Sequence, residues 1–250
     1  MDALSVIILA AGKGTRMKSD LPKVLHKVAG RSMIVHVIAC AMHVTRDNIH
    51  VVVGHQAEKV RREVAARFKV GFCLQEQLLG TGDAVKSALP HLAAHIQDVL
   101  VLCGDVPLIQ PKTLVDLVLA HRSHGAAVTV LAAELENPFG YGRVIQDAEG
   151  NMVAIREEAD ASETEKKIQR VNTGIYCFER SFLARAVALL RPDNRQSEYY
   201  LTDVVDIGVK NKEKIAVTVL ADHRQVLGIN TLDELEKAQN LIGRMENELP

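Results

Sequence analysis

Ser5-Val-Ile-Ile-Leu-Ala-Ala-Gly-Lys-Gly-Thr-Arg-Met17 passes directly from an apolar run into a glycine-rich loop. Ser5 to Ala10 is short, rich in β-branched side chains and closed by small residues, the pattern of a strand buried on both faces and followed by a loop. Similar runs return at Ile49 to Val53, Gly71 to Gln75, Val99 to Cys103 and Ala127 to Ala132, and stretches with helical spacing separate them. Met33, Ile34, Val37, Ile38 and Ala41 mark one such helical face, with Ser32 placed as its N-cap. Strand, helix, strand, helix predicts an α/β fold with a parallel sheet covered on both faces.

Beyond about Asn137 the regularity breaks. Gly140-Tyr-Gly-Arg143, two short β-like runs near Val144 and Met152, and a polar stretch from Glu157 to Lys167 read as a small insertion over the sheet edge. Strand signals return at Ile168 to Phe178 and Ile215 to Val219, with a helix from about Arg180 to Leu190 between them. Thr231-Leu-Asp-Glu234 has the spacing of a capping box and opens a helix expected to run to the terminus. One domain over 1–230 and a terminal helix over 231–250 are expected.

The composition is that of a globular chain: 250 residues, 48% hydrophobic and 24% charged, with a formal net charge of -1. No apolar run reaches the ~20 residues of a membrane span, and the start shows no basic, export-like segment. A nearly neutral chain has no global attraction to nucleic acid or to an anionic membrane, so a small-molecule partner is expected. Cys40, Cys73, Cys103 and Cys177 are isolated in apolar segments, so they read as core thiols of a reducing cytoplasm rather than disulfides or zinc ligands.

In open parallel sheets ligands sit outside the carboxyl ends of the strands, so the residues just beyond each strand are the candidates for a site. After the first come Gly12, Gly14, Arg16 and Lys23, small residues that admit a phosphate chain to the backbone and cations that hold it. Met17 stands where a dinucleotide-binding loop has its third glycine, and no Gly-Lys-Ser/Thr of a P-loop occurs. Gln75 ends the third run, where its amide suits a pyrimidine edge, and Gly80-Thr-Gly82 either caps a helix or offers its free N–H groups to a ligand. Asp105 in Cys103-Gly-Asp-Val-Pro107 is either a hard-metal ligand or the cap of a turn. His91 and His95 lack the glutamate of a zinc hydrolase motif and read as a solvated helix face.

Taken in order, Leu9 to Met17, Leu21-Pro-Lys-Val-Leu-His26, Gln77-Leu-Leu-Gly-Thr-Gly82, Gly104-Asp-Val-Pro107, Gly140-Tyr-Gly-Arg143, Val171-Asn-Thr-Gly174 and Glu198-Tyr-Tyr-Leu-Thr-Asp203 resemble the uridylyltransferase domain of the bacterial N-acetylglucosamine-1-phosphate uridylyltransferases, the GlmU family. The resemblance places the chain among the sugar nucleotidyltransferases. It implies a Rossmann-like, mostly parallel sheet flanked by helices, with a small β-rich insertion over a sugar site. It further implies a cytoplasmic enzyme of peptidoglycan precursor synthesis, making UDP-N-acetylglucosamine and pyrophosphate from UTP and N-acetylglucosamine 1-phosphate with Mg²⁺.

Carried over by motif, Leu9, Ala10, Ala11, Gly12, Gln75, Gly80, Thr81 and Gly104 hold the nucleotide, with Arg16 and Lys23 as catalytic cations on its phosphates. Asp105 and Asn230 hold the metal, and Gly142, Glu157, Asn172, Thr173, Tyr199 and Thr202 line the sugar pocket. Ala159 stands where the family often has Lys, and Ser197 where it often has Gly. Full-length members carry a second, β-helical acetyltransferase domain, so the resemblance implies an excised domain or a monofunctional relative, of open oligomeric state. Another sugar-1-phosphate nucleotidyltransferase, using CTP or glucose 1-phosphate, and a nucleotide-sugar sensor without turnover are the rival readings.

Overall fold

The computed structural model describes residues 3–248, with side chains as far as 242. The first two residues and the last two of the expected terminal helix lie outside the described residues. The strands are β1 (Leu4–Ala10), the short pair β2 (Lys27–Val28) and β3 (Arg31–Ser32), β4 (Ile49–Val53), β5 (Gly71–Leu74), β6 (Asp98–Cys103), β7 (Val128–Glu134), β8 (Arg143–Gln146), β9 (Met152–Arg156), β10 (Arg170–Glu179) and β11 (Ile215–Leu220). The helices are α1 (Met33–Ala41), α2 (Ala57–Ala65), α3 (Thr81–Ala88), α4 (Pro111–His124), α5 (Arg180–Val187), α6 (Asp203–Lys210) and α7 (Leu232–Glu248).

The main sheet runs in the order β11-β7-β10-β6-β1-β4-β5, with β8 and β9 attached beside β10. Neighbours along this path pair in parallel except at β10, which is antiparallel to both β6 and β7. A mostly parallel sheet was expected and is found, with β10 as the exception along this path. The exception arises because β7 is followed not by a crossover helix but by the β8–β9 hairpin, so the chain re-enters the sheet from the end at which it left.

Alternation along β1 explains the layers. Leu4, Val6, Ile8 and Ala10 enter one core with α1, α2 and α4, whereas Ile7 faces a second core with α3, α5 and α6. A strand apolar on both faces has to be covered on both, as expected for the interior of such a sheet. At the N-terminus of α1 Ser32 does occupy the cap position, but its hydroxyl donates to Glu63 Oε1 at 2.9 Å rather than capping the helix. The terminal helix α7 is docked: Leu235, Ala238, Leu241 and Ile242 pack on Val28, Met33, Leu108 and Ile229.

Candidate active site

The carboxyl ends of β1, β5 and β6 open onto a cavity of about 510 Å³. Leu9, Ala10, Ala11, Gly12, Lys23, Gln75, Gly80, Thr81 and Asp105 line it, and so do Lys13, Leu78, Cys103 and Glu198, which were not among the expected site residues. Gly104 lies behind the wall and joins two of its strands, donating its N–H to Leu9 O at 2.9 Å.

After β1 the chain enters a 3-10 turn at Thr15–Met17, with Met17 buried as an anchor beside Arg16. Gly14 precedes it at φ +61°, and a Cβ there would lie 2.5 Å from Lys23 Cβ, so only glycine lets the loop close against Lys23. Lys23 then reaches Asp105 Oδ2 and Asn230 Oδ1, the latter at 3.0 Å, while Arg16 Nη2 donates to the same Asn230 oxygen at 2.9 Å. Two cations and two oxygen donors from remote parts of the chain therefore form one cluster. Backbone holds it from below: Ile229 N donates to Asp105 O at 3.0 Å, and Glu234 Oε2 accepts from Asn230 N at 2.6 Å. The Thr231 and Glu234 capping box is formed reciprocally, at 3.1 and 3.2 Å.

Gln75 is 5% exposed, and its Nε2 donates to Gly80 O at 3.0 Å and to Asp83 Oδ2 at 2.8 Å. Gly80 opens α3 at φ +115°, where a Cβ would lie 2.7 Å from Tyr199 O. The segment around Tyr199 is pinned there by backbone, Tyr199 N donating to Leu79 O and Gly82 N to Tyr199 O, both at 2.7 Å. Thr81 adds its hydroxyl oxygen, which accepts from Leu201 N at 3.0 Å.

The expected sugar-side residues form a neighbouring cluster outside the lining of that cavity. Glu157 Oε1 accepts from the Thr202 hydroxyl at 3.1 Å, and a Cβ on Gly142 would lie 3.3 Å from Glu157 Oε2. Gly142 O accepts from Asn172 N at 2.8 Å. Burial pushes the Glu157 carboxyl above the usual range, against the lowering effect of the Thr202 hydrogen bond. Asn172-Thr-Gly174 occupies a bulge at the start of β10, and the Cys103 thiol, which reaches Gly174 O at 3.5 Å, joins this cluster to the cavity. Because β10 runs against its neighbours, its beginning lies at the edge where the parallel strands end.

Two expected sugar contacts are differently engaged. The Thr173 hydroxyl donates to Leu131 O at 2.7 Å and accepts from Ile175 N at 3.3 Å, so it stabilises the bulge instead of facing a pocket. Tyr199 packs its ring on the second core face and meets the site through its backbone. Arg143 of the Gly-Tyr-Gly-Arg motif, 1% exposed, ties the insertion together by donating to Tyr141 O and Lys166 O and pairing with Glu158 at 2.8 Å.

The four cysteines are free thiols, and burial raises Cys40 to about 12, Cys73 to about 11 and Cys103 to about 12. His91 and His95 are exposed as read, but they sit in a 3-10 turn and a turn rather than on a helix, because Pro90 closes α3's extension. Among the described residues no helix is long and apolar enough to cross a membrane.

The family model of the MobA-like NTP transferase domain matches residues 6–196. The chain belongs to that family. It also belongs with the GlmU proteins: it is 47% identical to the bifunctional protein GlmU of Geobacter metallireducens, over 95% of this chain and 50% of that protein. The GlmU protein of Desulfotalea psychrophila is 43% identical over 98% of this chain and 72% of its own length. The chain spans about half the length of the first of these relatives. Among solved structures, a putative glucose-1-phosphate thymidylyltransferase from Bacillus anthracis superposes with a TM-score of 0.74 at 19% identity, covering 96% of this chain and 95% of that one. That likeness shows a common fold.

Proposed function

We propose that this chain transfers UMP from UTP to N-acetylglucosamine 1-phosphate in the cytoplasm, releasing pyrophosphate. The observation that carries the reading is the convergence of Arg16, Lys23, Asp105 and Asn230, of which Lys23 and Asp105 line a cavity walled by Gln75 and a glycine loop. Membership of the GlmU family supports the substrate assignment.

The physical problem is to bring two anionic phosphates together, so the site must supply charge and alignment more than a covalent nucleophile. An oxygen of the sugar phosphate attacks the α-phosphorus of UTP in line, one P–O bond forms, and the α–β anhydride bond breaks with its electron pair leaving on pyrophosphate. The acceptor phosphate is already ionised at neutral pH, so no protein base is needed. Arg16 and Lys23 hold the triphosphate and offset the charge that develops on the departing pyrophosphate. Glu157 accepts from sugar hydroxyls, and the Asn172 bulge closes the far side.

Asp105 and Asn230 suit a hard cation: both turn oxygen donors towards the one Lys23 ammonium. Among the described residues no group of three acidic, histidine or cysteine side chains could hold a metal, so such an ion would be completed by substrate phosphates, as is usual for Mg²⁺. When bound, Mg²⁺ neutralises charge on the reacting phosphates. Pyrophosphate release over a panel of nucleoside triphosphates and sugar phosphates tests the whole reading. Preference for UTP with N-acetylglucosamine 1-phosphate is expected, and a clear preference for CTP or glucose 1-phosphate, or tight binding without release, refutes it.

A further inference from the structure

Gln75 is a nearly buried amide with two faces that differ only in which atom points where, and its neighbours decide the matter. Both hydrogens of its NH₂ are taken, by Gly80 O at 3.0 Å and by Asp83 Oδ2 at 2.8 Å. A backbone carbonyl and a carboxylate can only accept. Turning the amide over would set its oxygen against two acceptor oxygens and leave them without a donor. Oε1 is therefore fixed away from α3; it has no protein hydrogen bond among the described residues, and Gln75 lines the cavity.

A fixed acceptor in a pyrimidine pocket is selective. Uracil presents an N–H at position 3, whereas cytosine presents a bare nitrogen there and places an amino group beside it. Gln75 in its observed orientation accepts from the first and repels the second. The charged partner makes the lock strong, because hydrogen bonds to ionised groups are about twice as strong as neutral ones. Gly80 O alone would hold the amide less firmly.

We propose that Asp83 is a positioning residue that makes the site selective for uracil over cytosine by holding the Gln75 amide in one orientation. This rests on the nucleotide reading given above and deepens it. Asp83 itself touches no substrate; it acts through Gln75. Nothing about the Gly80-Thr-Gly82 motif requires an acid after it, so the selectivity is carried by a residue outside the loop signature.

The test is Asp83→Asn, nearly identical in size, whose side-chain amide can turn either face to Gln75 and so permits both orientations. Steady-state kcat and KM are measured for UTP and CTP with the sugar phosphate saturating, on the full 250-residue chain. The parent's UTP/CTP ratio of kcat/KM is expected to fall at least about tenfold, the worth of one charge-assisted hydrogen bond. The change should come chiefly from a lower KM for CTP, a gain that structural damage cannot produce. A ratio within twofold of the parent's, or an equal loss for both nucleotides, overturns the proposal. The same ratio is read as equilibrium dissociation constants for the parent, Asp83→Asn and Asp83→Ala. A parent that binds UTP selectively but releases no pyrophosphate thus refutes the catalytic reading while Asp83 is still tested, and a parent that prefers CTP refutes both.

Discussion

Replacing Arg143 by Met should separate the sugar side of the site from the nucleotide side. The guanidinium is 1% exposed and has three acceptors: Tyr141 O, Lys166 O, which takes Nε at 3.3 Å and Nη2 at 3.2 Å, and the Glu158 carboxylate at 2.8 Å. The two bonds to Lys166 share one carbonyl and count as little more than one. Methionine fills most of the volume, so the loss is chiefly polar. Removing one partner of a buried ion pair costs about 3–5 kcal/mol. Glu158 keeps a side-chain exposure of 24% and can rehydrate, which puts the expected cost near the lower end, about 3 kcal/mol.

In a chain of this size that corresponds to roughly 6–12 °C in Tm, measurable by calorimetry and by urea unfolding. The loss should be local as well as global. Tyr141, whose hydroxyl accepts from Gly228 N at 3.2 Å, and Gly142, which faces Glu157, both belong to the loosened segment. KM for the sugar phosphate should therefore rise more than KM for UTP. A cost under 1 kcal/mol, or equal effects on the two KM values, would falsify the role given to Arg143.

Four further outcomes are expected. Arg16→Ala should lower turnover about 10²–10³-fold with little effect on sugar binding, and Asp105→Ala should abolish Mg²⁺-dependent pyrophosphate release; full activity in the latter would remove Asp105 as a metal ligand. Gly80→Ala puts a Cβ 2.7 Å from Tyr199 O in a conformation only glycine tolerates, so it should cost about 1–3 kcal/mol in urea unfolding and weaken nucleotide binding; an unchanged unfolding midpoint would count against this packing. Burial, with Asp206 next in effect, raises Asp203 to about 6. Folding therefore favours its protonated form, an advantage complete below about pH 4 and lost as pH rises through 6. Asp203→Asn should thus stabilise by about 1 kcal/mol at pH 8, discounted for partial exposure, and hardly at all at pH 4; equal effects at both would contradict the assignment.

Some of this was legible from spacing alone. Ser5 to Ala10 followed by glycines is a local signal, and the strands it announces sit where the apolar runs are, to within two residues. The direction of β10 was not local. Nothing within Arg170 to Glu179 distinguishes a strand entering the sheet from above from one entering below; what decides it is the hairpin before it, whose short, weakly alternating strands read only as an insertion. The cation cluster was half legible. Arg16 and Lys23 follow β1, but Asn230 lies 214 and 207 residues further on, and only the family resemblance pointed to it. Asp83 escaped because its partner Gln75 follows β5 whereas Asp83 lies in α3 beyond a loop, so the periodicity of no single element links the two.

The terminal helix is tied to the same cluster. The sequence divides the chain at 230/231, where the capping box begins. Glu234, in the first turn of α7, accepts from the N–H groups of both Asn230 and Thr231, while Ile229 N is held by Asp105 O. The proposed metal-binding amide thus hangs between the end of β6 and the first turn of the terminal helix. That helix is itself seated by Leu235 and Ala238 on Val28, Met33 and Leu108. Docking of α7 and placement of Asn230 are therefore linked, and what looks like a trailing helix in sequence braces the cluster of Arg16, Lys23, Asp105 and Asn230. A cut at the apparent boundary would remove Glu234 and leave Asn230 at a free chain end, with its Oδ1 no longer positioned for Arg16 and Lys23.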